Sequence, residues 1–213
     1  MKLRQPLFSL LRLSVVLALL LGSLSQRAQA QNEVQARRVF ERTLALVENK
    51  GGARMDYELK VTRLFTQTGK ATIKNGKSLT ETKNGKVWFN GKTGWWMDLK
   101  KGTVTLFSPN YKRHISMTKQ LETARNGSSY TLTEQEDGYL VKIKTARHSA
   151  DIRECVALID KKTFAPKQLK FKWKIFWFTI DIWNFHTGDY PDTLFSFPEK
   201  DYPNLKIIDK RKE

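Results

Sequence analysis

Thr82-Lys83-Asn84-Gly85-Lys86-Val87-Trp88-Phe89-Asn90-Gly91-Lys92-Thr93-Gly94-Trp95-Trp96-Met97-Asp98 decides the fold class. Its two Asn-Gly pairs offer positive-φ positions for tight hairpins, and the residues between them suffice only for a short strand. Working outward, the same punctuation recurs at Thr68-Gly69, Asn75-Gly76 and Lys101-Gly102. Strands are therefore expected over 71–73, 78–83, 87–89, 95–99 and 103–107, joined as an up-and-down meander. Just before them, Met55, Tyr57, Leu59 and Val61 alternate with Asp56, Glu58, Lys60 and Thr62, the period of a half-buried strand.

Upstream the period is helical. Ala36, Phe40, Leu44 and Val47 form one stripe, so a helix is expected over 32–50. Asn32 is its expected N-cap, and Gly51-Gly52 its stop. Downstream, 110–126 lacks alternation, and a short helix is expected over 118–125. Strands resume over 130–133, 139–144, 155–160, 168–174, 179–185 and 193–197. Tyr139, Val141 and Ile143 share one face, as do Leu169, Phe171, Trp173 and Ile175 with lysines between them. That lysine alternation keeps one face wet and discourages edge pairing.

The chain has 213 residues and a formal net charge of +17. Lys2, Arg4 and Arg12 flank a short apolar run, 13–21, and Ala28-Gln29-Ala30 is a small-x-small ending. Residues 1–30 therefore read as a secretory signal, and 31–213 as one domain. The run is too short to span a bilayer, and no cysteine at the expected cleavage site offers an acylation point. Without the leader's four basic residues the charge falls from +17 to +13. In an exported chain this charge suits anionic lipid headgroups or an acidic partner better than nucleic acid, or it is simply a solvated surface. A single cysteine, Cys155, excludes a disulfide scaffold. The expected form is a monomer held by packing.

No catalytic pattern is present. His114, His148 and His186 are scattered, no ligand spacing for a metal occurs, and there is no nucleophile elbow or phosphate loop. Cys155 sits in Cys155-Val156-Ala157-Leu158-Ile159 and reads as a buried strand thiol. The acids Glu134, Glu136 and Asp137 before Gly138 read as a solvated turn. The expectation is no enzyme, no cofactor and no metal.

Bulky apolar residues are abundant instead, with six Trp and twelve Phe. They fill a core, or they line a cavity on the inner face of a curved sheet, with a helix as plug. Alternation nominates Leu59, Val61, Val87, Phe89, Val141, Ile143, Phe171, Trp173, Ile180 and Ile182 for that face. A one-residue slip would bring Trp88, Trp96 and Trp183 there instead. Ile175-Phe176-Trp177-Phe178 is uniformly apolar where a hairpin reversal is expected. Either Phe176, Trp177 and Phe178 form an exposed membrane or partner contact, or a strand runs through covered on both sides.

Three stretches carry a resemblance. Val87-Trp88-Phe89-Asn90-Gly91-Lys92-Thr93-Gly94-Trp95-Trp96, Asp160-Lys161-Lys162-Thr163-Phe164-Ala165-Pro166, and Phe195-Ser196-Phe197-Pro198 with Ile207-Ile208-Asp209 resemble, in order, motifs of the periplasmic LolA-like lipoprotein carriers. The resemblance implies a mainly β protein with helices. Its sheet would be an unclosed antiparallel half-barrel, wrapped over an N-terminal helix and a short lid helix, with an apolar cavity. It implies a carrier of acylated lipoproteins or a related amphiphile in the periplasm of a Gram-negative cell. Such a carrier is served by an inner-membrane transporter and an outer-membrane receptor. The alternatives are an envelope-sensing binding module and a lipid acceptor of LolB-like type. Where better-studied members carry R-P-x-x-x-x-W, this chain has Ile73-Lys74-Asn75-Gly76-Lys77-Ser78-Leu79, so no lid-holding arginine is carried over.

Overall fold

The computed structural model describes residues 29–62, 64–109, 125, 128–145, 152–173 and 175–212. The expected leader and nearly all of the expected lid helix lie outside the described residues. The element order is α1 (29–47), β1 (Ala53–Val61), β2 (Phe65–Lys74), β3 (Lys77–Thr82), β4 (Gly85–Phe89), β5 (Gly94–Asp98), β6 (Thr103–Phe107), β7 (Ser128–Gln135), β8 (Gly138–Thr145), β9 (Ile152–Ile159), β10 (Pro166–Trp173), β11 (Phe176–Thr187) and β12 (Lys206–Asp209). Two short 3-10 helices, Asp192–Phe195 and Glu199–Asp201, precede the last strand.

All twelve strands form one open sheet in the order β12-β6-β5-β4-β3-β2-β1-β11-β10-β9-β8-β7. It is two meanders joined where β1 pairs with β11, with β7 and β12 as its edges. The hairpins follow the expected chemistry. Asn75 and Gly76, with φ of 47° and 74°, turn β2 into β3. The Oδ1 of Asn90 accepts from the amides of Lys92 and Thr93 at 3.0 and 2.8 Å.

Four expectations are corrected. Thr68-Gly69 is no turn, because Gly69 lies mid-strand in β2, paired with Tyr57 on β1 and Thr82 on β3. A Cβ there would stand 2.8 Å from the Tyr57 hydroxyl, so the glycine makes room for the ring. The region 193–197 is not a strand. Pro191 and Pro198 bracket it, proline cannot supply a ladder amide, and the chain coils so that Phe195 is fully buried. The sheet is not wholly antiparallel, since β12 returns to pair in parallel with β6. Finally, α1 starts at 29 and Asn32 is not its cap. The Asn32 side chain instead donates to the Leu132 carbonyl and accepts from the Leu132 amide, both at 2.9 Å. It thus occupies the open hydrogen-bonding edge of β7 as a partner strand would.

Two separate cores stabilise the sheet, on opposite faces. One buries Ala36, Val39, Phe40 and Leu44 of α1 against Tyr130, Val141, Ile143, Ala157 and Ile159. The other packs Phe195, with Phe197, Tyr202 and Leu205, on Leu79, Trp88, Met97 and Val104. The pairings Met55↔Ala71↔Thr80↔Val87 show that Val87 shares the α1 face, so its neighbour Trp88 lies on the other. One half of the sheet is therefore covered by the helix and the other half, on its reverse, by the C-terminal segment.

Candidate apolar binding face

Register alone defines the candidate site. Across the sheet the pairs Val141↔Ala157, Ala157↔Leu169, Leu169↔Ile180 and Ile180↔Leu59 make one row, which ends at Gln67 of β2, and on the same face Met55↔Ala71↔Thr80↔Val87↔Trp96 makes another. All ten residues nominated from alternation fall on this one face by register. Val61, Val141 and Ile143 are buried, the last two beneath α1. Leu59, Val87, Phe89, Phe171, Ile180 and Ile182 are half-buried. The backbone of Trp173 pairs with Phe176 in the same register. The slipped set does not share a face: Trp96 pairs with Val87, whereas Trp88 and Trp183 lie on the reverse.

The reverse of β8–β11 and β1 mixes ion pairs with Leu140, Val156, Leu158, Trp177 and Trp183. Lys60 bridges Glu58 and Asp181 at 2.6 and 2.9 Å, Gln168 donates to Asp181, and Lys142 meets Glu154 at 2.8 Å. The hydrogen bond from Gln168, then that from Lys60, holds the Asp181 carboxyl below its ordinary range. Under α1 the face is apolar, and the reverse of the same strands holds the ion pairs together with the exposed Trp177 and Trp183. Met55, Tyr57 and Trp96 also fall on the apolar face, and the alternation reading passed over them. Met55 and Tyr57 were legible in the same 55–61 alternation, whereas Trp96 required the pairing with Val87.

The helix is clasped to this face by the Asp160–Pro166 turn. The Asp160 carboxylate accepts from the amides of Lys162 and Thr163 and from the Thr163 hydroxyl, each at 2.9 Å. These bonds, that from Thr163 first, hold its carboxyl below the ordinary range. The turn drives Phe164 to φ 58°. Its ring stacks on Tyr139 at 6.4 Å and lies under the Arg42 guanidinium at 4.8 Å. Its carbonyl accepts from the buried Thr43 hydroxyl at 2.9 Å. Arg37 covers the Tyr130 ring at 4.5 Å, and Arg125 meets Glu41 of the helix at 3.4 Å and Glu48, just past its end, at 2.8 Å.

Lys74 and Lys77, which stand where the carriers' arginine stretch would fall, hold the C-terminal segment. Lys74 donates to the Tyr190 carbonyl at 2.5 Å, and Lys77 meets Asp192 at 2.6 Å. Cys155 packs against the helix cluster, and burial pushes its thiol up to about 12. Among the described residues, no group of His, Cys, Asp and Glu could hold a metal ion. No helix among them is long and apolar enough to cross a membrane.

The hairpin reversal in the aromatic stretch is real, since Trp173 pairs with Phe176 across it. Ile175 is 78% exposed and Trp177 38%. Phe176 and Phe178 are half-buried, and Phe178 stacks on Phe171 at 5.0 Å with the rings 4° from parallel.

Comparison with known proteins agrees with this geometry. The family model for the outer membrane lipoprotein carrier protein LolA matches residues 24–174. An uncharacterized conserved protein from Thermus thermophilus has a similar structure, with TM-score 0.54 and 8% identity over 83% of this chain and 99% of that one. A LolA superfamily protein from Nitrosomonas europaea gives TM-score 0.40 and 9% identity over 76% and 97%. A putative outer membrane lipoprotein-sorting protein domain from Vibrio parahaemolyticus gives 0.41 and 11% over 80% and 97%. No curated protein matches the chain.

Proposed function

The chain belongs to the family of the outer membrane lipoprotein carrier protein LolA, and from that premise we propose that it carries the acyl chains of lipoproteins, or of a related acylated amphiphile, through the periplasm. The observation that carries this reading is the face that β8–β11 and β1 make apolar, plugged at one end by a clasped helix; beyond the Ser78, Thr80 and Thr82 of β3 the same face resumes with Val87, Phe89 and Trp96. Acyl chains are recognised by area, not by hydrogen bonds, so a broad apolar sheet face is the suitable chemistry. Each methylene taken from water contributes about 0.8 kcal/mol. Leu59, Val87, Phe89, Phe171, Ile180 and Ile182 present half-buried surface outside the helix core and would meet the chain first. Val141 and Ile143 lie under α1 and become available only as the helix lifts. A carrier must release its load, and a helix that returns to Val141 and Ile143 competes with the acyl chain for the same surface.

In this reading residues 1–30 export the chain and 31–213 bind, no residue acts as a catalyst, and Trp173 completes the face. An inner-membrane transporter would load the carrier and an outer-membrane receptor unload it. The test is direct binding of a fluorescent fatty-acyl probe by the purified protein, with Ile180→Lys and Phe171→Lys as controls. Saturable binding that both variants weaken supports the reading. No binding, or binding indifferent to both, overturns it.

A further inference from the structure

The pairing of β1 with β11 brings two hairpin ends together. Val61 of β1 is in register with Phe178 of β11 and with Phe65 of β2, and the Thr62 amide donates to the Trp177 carbonyl at 3.1 Å. The β1–β2 and β10–β11 turns therefore sit side by side at one end of the sheet. Both expose large apolar side chains there: Leu64 at 60%, Phe65 at 50%, Ile175 at 78% and Trp177 at 38%. A groove of about 440 Å³ beside them is lined by the apolar Val61, Leu64, Phe65 and Trp177 together with Lys60, Thr62, Thr66 and Thr179. Hairpin tips are ordinarily polar, and four neighbouring bulky apolar residues on a monomer mark a contact surface.

Within the two hairpin segments the charge has one sign. Residues 60–66 and 170–179 contain Lys60, Arg63, Lys170, Lys172 and Lys174 and no acid. Lys172 pairs in register with Trp177, and Lys170 and Lys172 are exposed on the reverse of the binding face. Lys60 is held by Glu58 and Asp181.

We propose that this two-hairpin tip docks on an anionic bilayer surface, with Leu64, Phe65, Ile175 and Trp177 entering the headgroup boundary and the lysines meeting lipid phosphates. Exposed apolar groups beside cations suit that interface, where a tryptophan ring is at home and each nearby basic residue adds to binding. An acidic protein surface would satisfy the lysines but would need an apolar pocket of matching shape for each protruding side chain, whereas a bilayer takes them without one. The tip meets the apolar face only at its end, through Val61 and Phe65, and Leu64, Ile175 and Trp177 are not among the residues nominated for that face. The two properties can therefore fail separately.

The test uses the purified protein with vesicles of phosphatidylglycerol and phosphatidylethanolamine, and with vesicles of phosphatidylcholine alone. Cosedimentation with the anionic vesicles, weakening as salt is raised, is expected. The combined change Leu64→Ser, Ile175→Ser and Trp177→Ser is expected to lower that partition at least about tenfold. Its thermal midpoint and its binding of the fatty-acyl probe should match the unaltered protein. Equal partition of the two proteins, or equal partition into neutral vesicles, overturns the proposal. So does sedimentation equilibrium showing that the substitutions convert a dimer to a monomer, because the tip would then bind a second copy. A second measurement removes little apolar surface. In a Cys155→Ala background, Ile175→Cys carrying an environment-sensitive dye should shift to the blue on anionic vesicles. An unshifted spectrum overturns the proposal. Loss of probe binding with docking intact would instead count against the acyl-carrier reading alone.

Discussion

Replacing Phe164 by alanine and, separately, by glycine resolves two energies that the Asp160–Pro166 turn holds in opposition. The ring packs against the helix cluster, stacked on Tyr139 and covered by Arg42. Truncating a fully buried phenylalanine to alanine costs about 3–5 kcal/mol, and Phe164 is half-buried, so about 2 kcal/mol is expected. Its φ of 58° opposes this, since a non-glycine residue in that region carries roughly 1 kcal/mol of strain that alanine keeps and glycine releases. The alanine variant should therefore lose about 2 kcal/mol and the glycine variant about 1 kcal/mol, reversing the usual order of the two residues. In a domain of this size each kcal/mol moves the midpoint by about 2–4 °C, so calorimetry separates the pair. Both variants weaken the seat of α1, because they remove the ring that packs on the helix cluster and lies under Arg42. Faster uptake of a fatty-acyl probe is expected in the same order. A glycine variant no more stable than the alanine variant would refute the strain reasoning.

Three further outcomes follow from the same geometry. Asn32→Ala removes both bonds to Leu132 and should cost about 2 kcal/mol by urea denaturation, with faster amide exchange at Leu132. Cys155, its thiol pushed up to about 12 by burial, should stay unmodified by a maleimide at neutral pH in the folded protein and react once urea unfolds it. Asp181 has its carboxyl lowered from 3.8 by Gln168 and Lys60, so its charged form stabilises the fold at and above the ordinary carboxylate range. That contribution is lost as pH falls through the lowered value. The stability difference between the protein and Asp181→Asn should accordingly be present at pH 7 and shrink as pH drops below 3.8.

Much of the candidate apolar face was legible because a sheet repeats every two residues, and Met55–Val61 and Tyr139–Ile143 alternate cleanly. Leu59, Val61, Val87 and Phe89 share a face because none of the ladders from β1 to β4 shifts register, and the other six join them because Tyr57–Val61 pairs with Phe178–Ile182 beyond the shift in the β1–β11 ladder. What the chain could not announce was long-range. Nothing local says that β1 pairs with β11, and that pairing sets Leu64 and Phe65 beside Ile175 and Trp177. Thr66-Gln67-Thr68-Gly69 is polar and turn-like, yet it is strand, since Tyr57 needs a glycine opposite it. The C-terminal Phe195 and Phe197 read as strand alternation, but the prolines around them deny the ladder and send both rings to the sheet's reverse. Asn32 looked like a helix cap, and only the proximity of edge strand β7 gives its amide a better use.

The measurement that tests the central claim most directly is mass spectrometry of the protein purified under native conditions from an envelope, before and after solvent extraction. The account predicts a copurifying acylated protein or lipid, lost on extraction and absent from Ile180→Lys. A protein that leaves the envelope carrying nothing, and that takes up no acyl chain when offered one, would contradict it.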